Sequence, residues 1–350
     1  GWRLVLYILA FVYSLVMPVV RWIRMKRGRR LPAFSIGIGN LTAGGTGKTP
    51  AVTYIVRGLS AQGYKVAVLI RGYKALRENE TRLVSDGKNI IADVLRTGDE
   101  AYLLAKLLPG IPVIAGKKRD RAANYAEQKF SPDVFVLDDA FQHWQVTKDI
   151  DIVLVDATNP FGPGWLIPAG TLRETPSALR RADIIILTRT DQAAGNNLED
   201  LQGKIAEINP NAVVVRSIHQ PIKIVPLGAW QQGKSDEQYL SEKEVFMLCG
   251  IGNPASFKKT LQNMNLTVRG EKIYEDHHRY QASELLEIMR NLEITGPRDV
   301  VITEKDAVKF PPAREIATGT IRWWVLTMQL KITAGEDKLW GLITEKIKAK

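Results

Sequence analysis

One cysteine, Cys249, stands in 350 residues. An intrachain disulfide framework and any multi-cysteine zinc or iron–sulfur site are therefore excluded. Histidine is nearly as scarce. His143, His219, His277 and His278 are the whole supply for imidazole base or metal work. The first thirty residues contain no Asp or Glu. No internal repeat or low-complexity tract interrupts the chain. With 45% hydrophobic and 24% charged residues, the composition is that of a folded protein and excludes wholesale disorder. Two domains of ordinary size are the expectation for this length.

The acid-free start is strongly basic, with Arg3, Arg21, Arg24, Lys26, Arg27, Arg29 and Arg30. Removing those seven charges from the net +11 leaves +4 for residues 31–350. So mildly basic a body does not point to nucleic acid, and none is expected as a partner. Between the charges lies an apolar run, Leu4 to Val20, flanked by Trp2 and Trp22. As a helix it would rise about 26 Å, at the short end for spanning a bilayer. A signal peptide would put its charge first and end in a small-residue cleavage site; here the heavy charge follows the apolar run and no such site is visible. A buried core helix is one reading. The other is a membrane anchor whose basic flank meets anionic headgroups and whose tryptophans sit at the interface. Whether such an anchor spans or lies in one leaflet stays open.

Downstream, short apolar runs alternate with helical stretches. The runs are 34–38, 66–70, 113–115, 134–137, 152–155, 184–187, 213–215, 245–248, 300–302 and 324–326. Helical patterns cover 50–62, 100–108, 119–129 and 283–292. Continuous apolar strands between helices imply a mostly parallel α/β sheet covered on both faces. The turn-rich segment from Pro221 to Lys243 marks the best boundary. We therefore expect a membrane-associated segment at 1–30, a P-loop domain at 31–225 and a smaller α/β domain at 226–350.

The P-loop follows the first strand. Thr42, Ala43, Gly44, Gly45, Thr46, Gly47, Lys48 and Thr49 fit G-x-x-x-x-G-K-[ST], except that Thr42 replaces the first glycine. Glycines let backbone N–H groups turn inward around phosphate oxygens. Lys48 would reach the β/γ-phosphates, and Thr49 would offer its hydroxyl to Mg²⁺. Pro50 suits the first turn of a helix whose positive end faces the same anion. Ala43 occupies the place of the extra lysine found in partition-type ATPases, which argues against that class. A metal partner is expected at the end of the strand 134–137, where Asp138 and Asp139 stand. Ligands bind at that edge of a parallel sheet. Gln142 and His143 follow at the same edge. Asp156 also ends a strand, with a turn role as an equal alternative.

The motifs GNLTAGGTGKTP, RGY at 71–73, TGDE at 97–100, GKKRDRAA at 116–123, LDDAFQH at 137–143, PAGTLRE at 168–174, EDHH at 275–278 and TEKDAVKF at 303–310 occur in one order over almost the entire chain. Together they resemble the tetraacyldisaccharide 4′-kinase family. The resemblance implies ATP and Mg²⁺ as cofactors and transfer of the γ-phosphate to the 4′-hydroxyl of an acylated glucosamine disaccharide 1-phosphate. It implies work at the cytoplasmic face of the inner membrane, with the N-terminal helix at the bilayer surface and no obligatory protein partner. It makes Asp99 the base for the sugar hydroxyl, paired with His277. It places Asp138, Asp139, Gln142, Glu174 and Thr49 around the metal, and Arg71, Arg119 and Arg121 on substrate or ATP phosphates. A capping box, Thr97-x-x-Glu100, is the competing reading of Asp99. His278 is the rival partner, and no roles are assigned to His143, Asp191 or Asp306. The alternative function is a membrane-tethered P-loop nucleotide switch or assembly ATPase, which would have no sugar hydroxyl to deprotonate.

Overall fold

All ten apolar runs fall into one sheet of twelve strands. The computed structural model describes residues 2–72, 80–193, 197–234, 240, 242–317 and 319–350, apart from the side chain at 295. Tyr73 of the Arg-Gly-Tyr motif and residues 235–239 and 241 of the expected boundary segment lie outside the described residues.

Across the sheet the strands run Thr267–Ile273, Glu244–Cys249, Asp299–Thr303, Arg322–Ala334, Val213–Pro226, Ile184–Thr188, Ile150–Asp156, Phe34–Asn40, Val134–Asp138, Val66–Ile70, Pro112–Ala115 and Arg82–Asp86. Two strands had no counterpart among the apolar runs, Arg82–Asp86 and Thr267–Ile273, and they form the two edges. An edge strand is solvated and tolerates charge, so it carries no continuous apolar signal. All neighbours pair parallel except two pairs, Arg82–Asp86 with Pro112–Ala115 and Val213–Pro226 with Arg322–Ala334. The second pair is far longer than its apolar cores suggested. Its register runs from Arg216 opposite Ala334 to Pro226 opposite Trp324, with an irregularity at Pro221. Proline cannot donate to the ladder, and a bulge accommodates it. The segment read as turn-rich from Pro221 therefore begins as strand.

Phe34–Asn40 lies between Val134–Asp138 and Ile150–Asp156, while the next strand in sequence, Val66–Ile70, sits one place further out. The crossovers therefore diverge at its C-terminal end, which opens a crevice there. In the register Ile38 stands opposite Asp138, so the acidic strand end lies directly beside the phosphate loop.

One face of the first half packs the helices Lys48–Ala61 and Asp99–Leu107 through Ala51, Val52, Ile55, Val56, Leu59, Ala101 and Leu104. The last helix, Glu336–Lys348, returns to this same core through Leu339 and Ile343. The opposite face takes Arg119–Phe130 through three fully buried alanines, Ala122, Ala123 and Ala126, which allow close approach. The expected helices thus form, with shifts of one to three residues at their ends. Thr97 does not cap Asp99–Leu107: a short helix, Val94–Thr97, intervenes, capped by Asp93, and Gly98 precedes Asp99.

The N-terminal helix, Trp2–Lys26, is not a core helix. Ala10 is its one buried residue, and Leu4, Ile8, Phe11, Leu15, Val19 and Trp22 are all exposed. It is long and apolar enough to cross a membrane.

Candidate active site

A cleft of about 1360 Å³ opens at the C-terminal ends of the central strands. Ala43 through Thr49 line it, together with Arg71, Asp138, Asp139, Gln142, Arg173, His219 and His277.

The phosphate loop is braced from behind by residues far away in sequence. Thr42 forms an antiparallel bridge with Leu172, and the Ala43 amide donates to Thr171 O at 2.6 Å. The Thr188 hydroxyl donates to Thr46 O at 3.1 Å, and Arg189 donates to Gly45 O at 2.9 Å while pairing with Asp156. His219 presses against Gly47, whose φ of 88° lies in the left-handed region and whose missing Cβ would collide with the imidazole. The His219 Nε2 is buried without a partner, and burial, aided by Arg189, lowers its pKa to about 3. It is therefore a neutral wall of the loop.

Lys48 Nζ donates to Asn40 Oδ1 at 3.0 Å and lies 3.6 Å from Asp139 Oδ1. The two adjacent aspartates have separate surroundings. Asp139 receives both oxygens' worth of contact from Arg173, at 2.9 and 3.0 Å. Burial would raise its carboxyl, but Lys48 and Arg173 outweigh that and hold it below the ordinary range. Asp138 is buried, and burial, reinforced by Glu100 and Asp139, pushes its carboxyl up to about 7. Its Oδ1 accepts the neighbouring Asp139 amide, at 2.9 Å. A buried carboxylate in excess negative charge is a group that a divalent cation relieves. Gln142 lines the same cleft, and its Oε1 is buried without a partner. Among the described residues no three His, Cys, Asp or Glu side chains could together hold a metal. The oxygen donors of Asp138, Gln142 and Thr49 suit Mg²⁺, which keeps waters and phosphate oxygens in its shell and needs few protein ligands.

Three expected residues do not reach the cleft wall. Glu174 is buried against Arg181 at 2.9 Å and Arg21 at 3.4 Å, and accepts from Gln142 Nε2 at 3.2 Å. Two guanidinium groups thus pair with it in this structure, and it holds the Gln142 amide. Arg119 is fully buried and donates to the backbone carbonyls of Gly116 and Asp138, which fixes the acidic strand end. Arg121 is exposed on its helix, away from the cleft. Arg71 lines the cleft as expected.

Asp99 Oδ2 and His277 Nδ1 lie 2.7 Å apart, although 178 positions separate them. His277 takes a φ of 69°, a strained value for a residue that carries a Cβ. It lines both the main cleft and an adjoining cavity of about 620 Å³, while Asp99 lines the latter. Burial works against the Asp99 charge, but the His277 hydrogen bond and the charges of His277, Lys305 and Lys309 leave its carboxyl below the ordinary range. His278 is not the partner: its Nε2 lies 3.1 Å from Glu284, and its ring stacks on Tyr274. Asp306 is a buried structural hub that accepts from the Gly250 amide, Tyr280 and Thr303. His143 is held neutral, its pKa lowered to about 3 by burial and then by Arg119. Asp191 is exposed beyond the strand Ile184–Thr188.

Sequence reading missed Asn40, Arg173, Thr188, Arg189 and His219. Arg173 and Asn40 sit inside quoted motifs, so a signal existed. Thr188 and Arg189 stand in a strand-end Thr-Arg-Thr-Asp run whose signal is weak, and His219 carries none, because their partners come from distant parts of the chain.

A glycine loop at a switch point, an acidic strand end beside it and, on the same cleft, an imidazole paired with a carboxylate from the adjoining cavity define a P-loop nucleotide-dependent phosphotransferase. The family whose sequence model matches residues 2–348 is described as tetraacyldisaccharide-1-P 4′-kinase. The chain belongs to that family. It is 36% identical over 352 residues to the tetraacyldisaccharide 4′-kinase of Halothermothrix orenii, covering 96% of this chain and 91% of the relative. The corresponding kinase of Syntrophus aciditrophicus is 41% identical over 300 residues, covering 83% and 79%. Among solved structures it is similar to LpxK from Aquifex aeolicus in complex with ATP, with a TM-score of 0.74, 27% identity, and coverage of 99% of this chain and 100% of the other.

Proposed function

We propose that this protein transfers the γ-phosphate of ATP to the 4′-hydroxyl of a tetraacylated glucosamine disaccharide 1-phosphate, working at the cytoplasmic face of the inner membrane. The observation that supports the reading is the 2.7 Å contact of Asp99 with His277, whose ring lies between Asp99's cavity and the cleft that the phosphate loop lines. A nucleotide switch has no use for such a pair, because nothing in its cycle is an alcohol.

In this reading the loop amides and Lys48 hold the triphosphate. Asp138, the Thr49 hydroxyl and Gln142 Oε1 would hold Mg²⁺, which when bound would neutralise charge on the phosphates. Asp139 is held by Lys48 and Arg173 and keeps both cations in register. Arg71 approaches phosphate from the cleft wall. The acceptor oxygen attacks the γ-phosphorus, ADP leaves, and the hydroxyl proton passes to the Asp99–His277 pair. Water must be kept out while this happens. We take residues 226–321 as the moving unit, closing on residues 31–225 about the paired strands Val213–Pro226 and Arg322–Ala334. The last helix, seated in the first core, stays with that core.

The test is incubation with γ-labelled ATP and the disaccharide 1-phosphate. Label on the lipid is expected. Label released only as inorganic phosphate would return the switch reading.

A further inference from the structure

The N-terminal helix touches the body along one narrow stripe. Leu6, Ala10, Tyr13, Ser14, Met17, Val20 and Arg21 are its shielded positions, at helical spacing. Tyr13 donates to Arg173 O at 3.0 Å, and Arg21 pairs with Glu174. From Leu6 to Arg21 that stripe is about 22 Å long. A helix docked over such a length cannot cross the bilayer without dragging the body into it, so its exposed apolar side lies along one leaflet. A single helix lying in an interface is a line contact, however. The body would still be free to roll about it.

A second apolar feature lies off that line. The segment 157–172 contains no Asp, Glu, Lys, Arg or His. It carries Trp165, which is 52% exposed and meets Tyr7 of the helix edge to face with ring centroids 4.8 Å apart. The segment is braced by its own backbone: Gly164 N donates to Phe161 O, Gly170 N to Leu166 O and Leu172 N to Trp165 O. It then joins the site, since Thr171 accepts the Ala43 amide and Leu172 pairs with Thr42. Tryptophan is favoured at membrane interfaces, with an apolar body and one polar N–H.

We propose that the segment 157–172 is a second bilayer contact, with Trp165 entering the interfacial region of the same anionic phospholipid leaflet as the helix. The inference rests on the reading that the helix lies at a membrane. Two facts favour a bilayer as occupant: continuity with the exposed apolar helix through Tyr7, and Arg24, Lys26, Arg27 and Arg30 at the end of that helix, which suit anionic headgroups. The second contact stops the roll. It fixes the phosphate loop, through Thr171 and Leu172, at a set height over the headgroups.

The experiment uses the full chain with Cys249→Ala and either Leu15→Cys or Trp165→Cys, each labelled with an environment-sensitive NBD group. Vesicles of phosphatidylethanolamine and phosphatidylglycerol are then added. The proposal expects both labels to shift to the blue and the label at 165 to be quenched by lipids brominated high in the acyl chain. A shift at 15 without one at 165 overturns the second contact and leaves the helix reading standing. No shift at either position overturns both. A shift at 165 that grows with protein concentration in the absence of vesicles shows self-association instead and also overturns it. Unlabelled Trp165→Ser should partition about tenfold more weakly into the same vesicles, and Trp165→Phe should recover most of the loss. Turnover of detergent-dispersed lipid should stay unchanged in both. Equal partition of Trp165→Ser and the unaltered chain would contradict the proposal.

Discussion

The Asp99–His277 contact makes the sharpest claims at the level of single residues. Asp99→Ala should lower kcat by about 10²-fold or more while leaving ATP affinity intact, as removal of a proton acceptor does. Steady-state kinetics alongside nucleotide titration check this, and equal losses in both would instead indicate a structural role. The direction of the Asp99 shift also fixes a pH dependence of stability. Its folded carboxyl lies below the ordinary value, so the folded state is favoured above the unfolded pKa of about 3.9, and that gain is lost as pH falls through the folded value. The melting temperatures of the unaltered chain and Asp99→Asn should therefore differ at pH 7 and converge as pH drops below 4. Legibility at this scale followed chemistry that is local in sequence. Lys48, Thr49 and Asp138 could be read because strand, loop and helix are contiguous or end on the same sheet edge. Glu174 and Arg119 have side chains suited to a phosphate or metal site, but their neighbours neutralise or bury them. Only the fold reveals Arg21 and Arg181 beside Glu174, or two backbone carbonyls around Arg119.

At the scale of elements, the phosphate loop and the N-terminal helix each carry an expectation. Gly47→Ala would force a Cβ against His219 at a backbone angle that alanine adopts at a cost. ATP affinity should fall tenfold or more, read by titration, with only a modest loss of thermal stability. Unchanged affinity would mean the loop relocates without penalty. Deleting residues 2–26 should raise KM for lipid in vesicles more than for lipid dispersed in detergent. Equal effects would remove the helix from membrane work. Buried strands were readable as apolar runs because both faces of the sheet are covered. The edge strands Arg82–Asp86 and Thr267–Ile273 were not, since their charged residues face water. The long pair Val213–Pro226 and Arg322–Ala334 was shortened in reading because its outer portions alternate polar with apolar residues and include Pro221.

For the whole molecule, the phosphate loop comes from the first half of the chain and His277 from the second, while both line one cleft. Gly252, in the loop after Glu244–Cys249, already approaches Gly45 so closely that a Cβ there would meet the Gly45 amide nitrogen at 2.9 Å. ATP should therefore shorten the distance between labels placed on the two units, measured by paired-label spectroscopy. An unchanged distance would count against closure. The central claim is tested most directly by phosphorus–proton correlation NMR of the lipid product after one turnover with ATP. The account predicts a new phosphomonoester coupled to the proton at carbon 4′ of the distal sugar, with the 1-phosphate intact. A product unchanged at that carbon, with inorganic phosphate accumulating in solution, would contradict it.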